Sequence, residues 1–98
     1  MLSMLVIYEF IWLPEIAEKL AVKHQVSPDE VEEVFFNHPR FRFHEKGRIR
    51  GEDMYTALGQ SNGGRYLMIF FILKLTHTAL IISARDMEPP EKRRYERK

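Results

Sequence analysis

The spacing of apolar and polar residues divides this chain into strands and helices. Met4 to Trp12 is dense in β-branched and aromatic residues, which predicts a strand. The period then changes. Leu13, Ile16, Ala17, Leu20 and Ala21 fall on one stripe at helical spacing, with Pro14 in the first turn, where its missing N–H is not needed. That helix is expected to fade near Lys23 and His24. Next, Ser27-Pro28-Asp29-Glu30 has the form of a capping box: the Ser27 hydroxyl accepts from the Glu30 N–H, and the Glu30 carboxylate reaches back to the Ser27 N–H. Val31, Val34 and Phe35 should face a core. The helix should stop around Asn37, because His38 precedes Pro39 and is pushed out of the α region.

From here the period shortens to two. Arg40-Phe41-Arg42-Phe43 alternates as a half-exposed strand does. His44 to Gly51 is polar with two glycines, hence a loop, and Met54 to Gln60 reads as a strand. Ser61-Asn62-Gly63-Gly64 is a turn, since Asn and Gly tolerate positive φ. Arg65 to Leu75 is almost wholly apolar, as expected of a central strand buried on both faces. After a short turn at Thr76-His77-Thr78, Ala79 to Ala84 predicts another buried strand. Pro89-Pro90 opens a short polar helix, with Tyr95 the main candidate to anchor it. The order is strand, two helices, a meander of about four strands, and a last helix. It predicts one α+β domain over residues 1–98, with two N-terminal helices on an antiparallel sheet of about four to five strands and a short C-terminal helix.

Composition removes several classes of chemistry. The chain has no cysteine, which excludes disulfides, thiolate catalysis and cysteine-based zinc sites and suits a reducing cytoplasm. The apolar start lacks a basic flank and carries Glu9, so it does not read as a signal peptide. Neither it nor Leu67 to Leu73 approaches the roughly 20 apolar residues that span a bilayer, so no membrane contact is expected. Met4 is a second candidate start. The net charge is +1, but residues 1–34 carry two basic and seven acidic side chains, and residues 35–98 carry thirteen basic and seven acidic. A basic part of that size fits a polyanion or an acidic protein, or simply a solvated surface.

Several segments, in order, resemble one family. Lys23-His24, Val26-Ser27 and the helix DEVEEVFF are similar to the "KHG(V/I)S…EEA…VF" stretch of BrnT toxins. Gly51-Glu52-Asp53-Met54-Tyr55 with Leu58-Gly59 is similar to their "GEERY…LG" strand. Gly64-Arg65-Tyr66-Leu67, Ile81-Ile82-Ser83-Ala84-Arg85 and Glu91-Lys92-Arg93-Arg94-Tyr95-Glu96 resemble the remaining landmarks. Three positions depart from the pattern: Leu13 where an acidic residue follows the Trp, Gln25 where a glycine is usual, and Glu88 where a Ser or Thr cap is common. The resemblance implies a RelE-like fold, RNA cleavage that inhibits translation, and a BrnA-like antitoxin partner. It also implies repression of the pair's own promoter, with DNA touched only through the antitoxin, and a dimer or heterotetramer with it.

Metal-independent RNA cleavage needs a base for the 2′-hydroxyl, cations for the phosphorane-like charge and an acid for the leaving oxygen. His24 is a candidate base or acid; otherwise it is a helix C-terminal residue favoured by the dipole. Glu52 is a second candidate base, or else half of a strand-end ion pair. Arg65 and Arg85 flank consecutive apolar strands whose ends meet in an antiparallel pair, so they would form a phosphate clamp unless each pairs with an acid. Tyr95 either stacks on a base or donates a proton, as the resemblance suggests, or docks the last helix. Lys23, Arg93, Arg94 and Arg97 are candidate phosphate contacts. No metal and no cofactor are expected: the histidines lack ligand spacing, and neither a P-loop nor a dinucleotide fingerprint is present. The two functional readings are an endoribonuclease toxin and, given Leu13, Gln25 and Glu88, a module of the same fold that binds antitoxin or RNA without cutting. A third possibility is self-association through the apolar N-terminal edge.

Overall fold

A computed structural model describes residues 5–97. The elements run β1 (Glu9–Ile11), α1 (Pro14–His24), α2 (Pro28–Phe36), β2 (Arg40–Glu45), β3 (Asp53–Gln60), β4 (Tyr66–Leu73), β5 (Thr78–Asp86) and α3 (Pro89–Glu96). They form the expected α+β arrangement, a five-stranded sheet in the order β1-β5-β4-β3-β2. β2 to β5 are antiparallel neighbours, but β1 joins β5 in parallel, with Phe10 opposite Ala79. The sheet is therefore mixed. After β1 the chain crosses the sheet through α1 and α2 to the far edge, and three reversals bring β5 back beside β1. The first strand is also shorter than expected. Its ladder is preceded by one bond, from the Tyr8 N–H to the His77 carbonyl at 2.8 Å. The expected start at Met4 lies outside the described residues.

Local chemistry explains the helix limits. α1 begins at Pro14 and ends at His24, where Gln25 turns into the left-handed region at φ 51°. α2 carries the expected capping box, with the Glu30 N–H donating to the Ser27 hydroxyl at 3.2 Å and the Ser27 N–H to the Glu30 carboxylate at 3.1 Å. His38 leaves the right-handed α region, which the following proline disfavours, and takes a left-handed φ of 54°. Among the described residues, no helix is long and apolar enough to cross a membrane.

Both α1 and α2 pack on one face of the sheet, and that face holds the core. Leu20, Val31 and Val34 from the helices meet Ala57, Leu67, Ile69, Phe71, Ala79, Ile81 and Ala84 from the strands. Phe35 bridges the layers, edge-on to Phe71 at 5.1 Å and to Phe10 at 5.0 Å. Gly59 lies so close to α2 that an added Cβ would sit 3.0 Å from Val34 Cγ1. β4 corrects the expectation of burial on both faces: its positions alternate, with Leu67, Ile69 and Phe71 fully buried and Met68, Phe70 and Ile72 only half-buried. Two helices cover one side, whereas the other receives only α3, across one end.

Candidate functional site

The predicted site residues fall into three separate places. The first is the junction of α1, α2 and β5, where Arg65 is the hub. Its Nη2 donates to the His24 carbonyl at 2.8 Å, and its Nη1 donates to the Gln25 carbonyl at 2.7 Å. These carbonyls belong to the end of α1, whose last turn has no intrahelical donors to offer them. The same guanidinium holds Asp86 through Nε at 2.7 Å and Nη2 at 3.1 Å, and reaches Glu30 at 3.3 Å. The hydrogen bond from Arg65 holds the Asp86 carboxyl below its usual range, although partial burial opposes this. Every N–H of Arg65 is thus engaged within the fold. His24 is half-buried at the end of α1, and Lys23 beside it is exposed.

Arg85 occupies the second place and is not a neighbour of Arg65 in any functional sense. Leu67 pairs with Asp86 and Met68 with Arg85. Alternation therefore puts Arg65 on the face covered by α1 and α2, and Arg85 on the other. The expected two-arginine phosphate clamp does not form. Arg85 instead holds Glu91 of α3 in a bidentate pair, at 2.8 Å and 2.7 Å, and lies 6.0 Å from the Phe70 ring centroid. Its hydrogen bonds keep the Glu91 carboxyl below the ordinary carboxylate range.

Glu52 occupies the third place. It accepts from Lys74 Nζ at 2.6 Å, at the end of the β3–β4 ladder opposite Arg65. Seven residue steps of strand separate the two ends, roughly 25 Å. Glu52 cannot act on the same phosphate as Arg65 or Arg85. Tyr95 is buried, with its ring edge-on to Tyr66 at 6.0 Å, so the ring docks α3 on the sheet. Tyr66 in turn donates to Glu96 at 2.9 Å. Arg93 and Arg94 are exposed on α3, and Arg97 is exposed just after it.

Around Arg85 and α3 the structure gathers residues that sequence reasoning missed. Arg40 and Arg42 stand opposite Leu58 and Thr56 on the open face of the sheet. Two adjoining cavities follow. One, of about 250 Å³, is lined by Arg40, Arg42, Leu58, Arg94 and Tyr95 among others. The second, of about 240 Å³, is lined by Arg42, His44, Thr56, Met68, Glu91 and Arg94 among others. Arg40 spends one nitrogen on the Tyr95 and Arg94 carbonyls, at 3.3 Å and 3.4 Å. Among the described residues, Arg42 and Arg94 make no ion pair. The signal for this face was the Arg-Phe-Arg-Phe alternation: a strand that turns half-buried Phe41 and exposed Phe43 to the helix side must present its arginines together on the other. No three His, Cys, Asp or Glu side chains among the described residues converge on a point where a metal ion could be held.

This face is open, concave at one end, cationic and floored by apolar side chains. It can hold phosphates without sequence information, and half-buried Phe70 lies in it beside His44 and Arg85. Residues 12–91 match the family model described as ribonuclease toxin, BrnT, of type II toxin-antitoxin system. The matched span includes Arg40, Arg42, His44, Arg85 and Glu91, and stops short of Arg94 and Tyr95. No curated protein matches the chain.

Proposed function

The chain belongs to the BrnT family of ribonuclease toxins of type II toxin–antitoxin systems, and from that premise we propose that it is an active, metal-independent endoribonuclease whose RNA lies on the open face of the sheet. The observation that carries this reading is that Arg42 and Arg94 line two adjoining cavities, with Arg40 added in the first and Glu91, the partner of Arg85, in the second. Single-stranded RNA supplies phosphates for the guanidinium groups and a base for Phe70. Arg85 holds Glu91 and shapes the floor, Tyr95 fixes α3, and Arg93 and Arg97 add attraction that does not depend on sequence. Arg65 and Glu52 hold the fold together on this reading. His24 and Lys23 lie at the end of α1, away from the chemistry.

Membership of a type II toxin family implies an antitoxin partner. We take that partner to be BrnA-like, joined to the toxin as a dimer or heterotetramer and touching promoter DNA on its behalf, with the pair acting in the cytoplasm.

The test is controlled expression in a bacterium, alone and with the adjacent gene, scoring growth and total RNA integrity. Growth arrest with RNA breakdown is expected, relieved by the neighbour and lost in the Arg42→Ala, Arg94→Ala double variant. Arrest that survives this variant but disappears with His24→Ala would move the site to the end of α1. Normal growth with intact RNA, from a folded chain that still binds RNA in a salt-dependent way, would favour the second reading, a binding module. The separation of Glu52 from both Arg65 and Arg85 is the observation that favours that alternative.

A further inference from the structure

We infer that His44 is the proton-transfer residue of this nuclease, taking the proton from the 2′-hydroxyl of a single-stranded RNA held between Arg42 and Arg94; the inference rests on the nuclease reading above. The position of His44 is built by an irregularity. Phe43 pairs with Tyr55 and Glu45 with Met54, so His44 is the extra residue of a β-bulge. Bulges re-aim a side chain at the edge of a sheet. Here the imidazole is aimed onto the open face, edge-on to Phe70 at 5.4 Å and 81°. It shares its cavity with Arg42, Thr56, Glu91 and Arg94.

The carboxylate of this cavity and the other three histidines are placed differently. Glu91, the carboxylate of the same cavity, is held by both terminal nitrogens of Arg85, which makes it a poor acceptor of a proton. His77 Nδ1 is 3.0 Å from the Val6 carbonyl, and its ring lies against Tyr8. His38 serves the turn after α2, and His24 ends α1. Of the chain's four histidines, His44 is the one that stands among exposed arginines. Imidazole is the side chain suited to exchange a proton near neutral pH.

The step balances without any further reactant. An imidazole nitrogen of His44 removes the 2′-hydroxyl proton, the 2′-oxygen bonds to phosphorus, and the bond from phosphorus to the 5′-oxygen breaks. The leaving oxygen takes a proton from water, and the resulting hydroxide takes the proton back from the imidazolium. Arg42 and Arg94 stabilise the charge that gathers on the non-bridging oxygens. The products are a 2′,3′-cyclic phosphate and a 5′-hydroxyl.

The experiment uses the purified full chain, His44→Gln and His44→Ala, and a labelled single-stranded oligoribonucleotide of mixed sequence. Cleavage by the variants should fall about 10²–10⁴-fold, with melting temperature and RNA affinity retained. Imidazole added to His44→Ala should recover part of the rate, which a merely structural role would not allow. A His44→Gln chain that cuts at the wild-type rate overturns the assignment and leaves the nuclease reading standing. So do products ending in a 3′-hydroxyl. A wild-type chain that binds this RNA and leaves it intact overturns the nuclease reading and the role of His44 with it.

Discussion

The two faces of this sheet are built from the same five strands, residue by residue in alternation, yet they are made of different chemistry. On the helix side, Leu67, Ile69, Phe71, Ala79, Ile81 and Ala84 are all 0% exposed. On the other side their neighbours are Met68, Phe70, Ser83 and Arg85, half-buried, with exposed Arg40, Arg42 and His44 beyond. One face is close-packed with little room to change. The other has cavities, cations and a terminal helix resting on its end. A strand of this kind carries two messages at once, and stability and function can be tested separately by touching adjacent residues.

Phe70 and Phe71 offer the sharpest test. Phe71 is fully buried, with Phe35, Phe41 and Tyr55 around it at 5.1, 5.9 and 6.1 Å. Phe71→Ala should cost about 3–5 kcal/mol, much of the roughly 5–15 kcal/mol that such a domain possesses. Phe70→Ala removes a half-buried ring and should cost about 1–2 kcal/mol, while weakening RNA binding through the lost stacking surface. Urea melts and a filter-binding titration on both variants would show it. If Phe70→Ala proved the more destabilising, the division between the faces would fail.

The next largest effect concerns the arginines. Arg65→Ala strands two helix-end carbonyls, Asp86 and Glu30. The site is partly exposed, so the expected loss is about 1–2 kcal/mol rather than the full cost of a buried orphan. Any loss of toxicity in that variant should follow its loss of folded protein. Arg85→Ala, which unties Glu91, should loosen α3 and leave the α1–α2 core intact. Hydrogen exchange resolved by element distinguishes the two: protection should fall at the end of α1 for Arg65→Ala and in α3 for Arg85→Ala.

These pairs also show how far the sequence could be read. The capping box, the limits of α1, the turn at Ser61 to Gly64 and the α+β order were legible, because each depends on local backbone chemistry. Arg65 and Arg85 were correctly placed at adjoining strand ends, but their faces depend on register, since one residue of shift reverses every side chain. Sequence spacing does not reveal that Glu52, a candidate base, stands at the end of the ladder away from Arg65. His44 belongs to β2 and not to the expected loop, since a bulge leaves no trace in composition. Arg40 and Arg42 are visible as an alternation, although the cavities on the face that they share close only when α3 arrives from the other end of the chain.

Acid should probe both faces together, with a smaller effect. The Asp86 and Glu91 carboxyls are both lowered, chiefly by hydrogen bonds from Arg65 and Arg85 respectively. Depressed carboxylates contribute stability above their unfolded pKa values and lose it as pH falls through the folded ones. Loss should therefore begin near the ordinary values, 3.8 for Asp and 4.5 for Glu, and continue below them. With both pairs partly exposed, the total is on the order of 1 kcal/mol. Thermal melts from pH 6 downward should show it, and Asp86→Asn should flatten the part that belongs to the helix-side junction.

The smallest effect expected bears on a departure from the family's pattern. Gln25 holds a left-handed conformation at φ 51°, ψ 42°, which closes α1, and a glycine would adopt it without the Cβ penalty. Against that relief stand the greater freedom of glycine in the unfolded chain and one exposed bond, from Gln25 Nε2 to the Val22 carbonyl at 3.1 Å. The balance favours Gln25→Gly by about 0.5 kcal/mol, seen as a slightly higher urea midpoint. The Gln25 carbonyl that receives Arg65 belongs to the backbone and survives the change. Because this residue sits on the helix side, RNA cleavage should stay at the wild-type level. A change in cleavage without a change in stability would place the end of α1 within the working surface and break the division between the two faces.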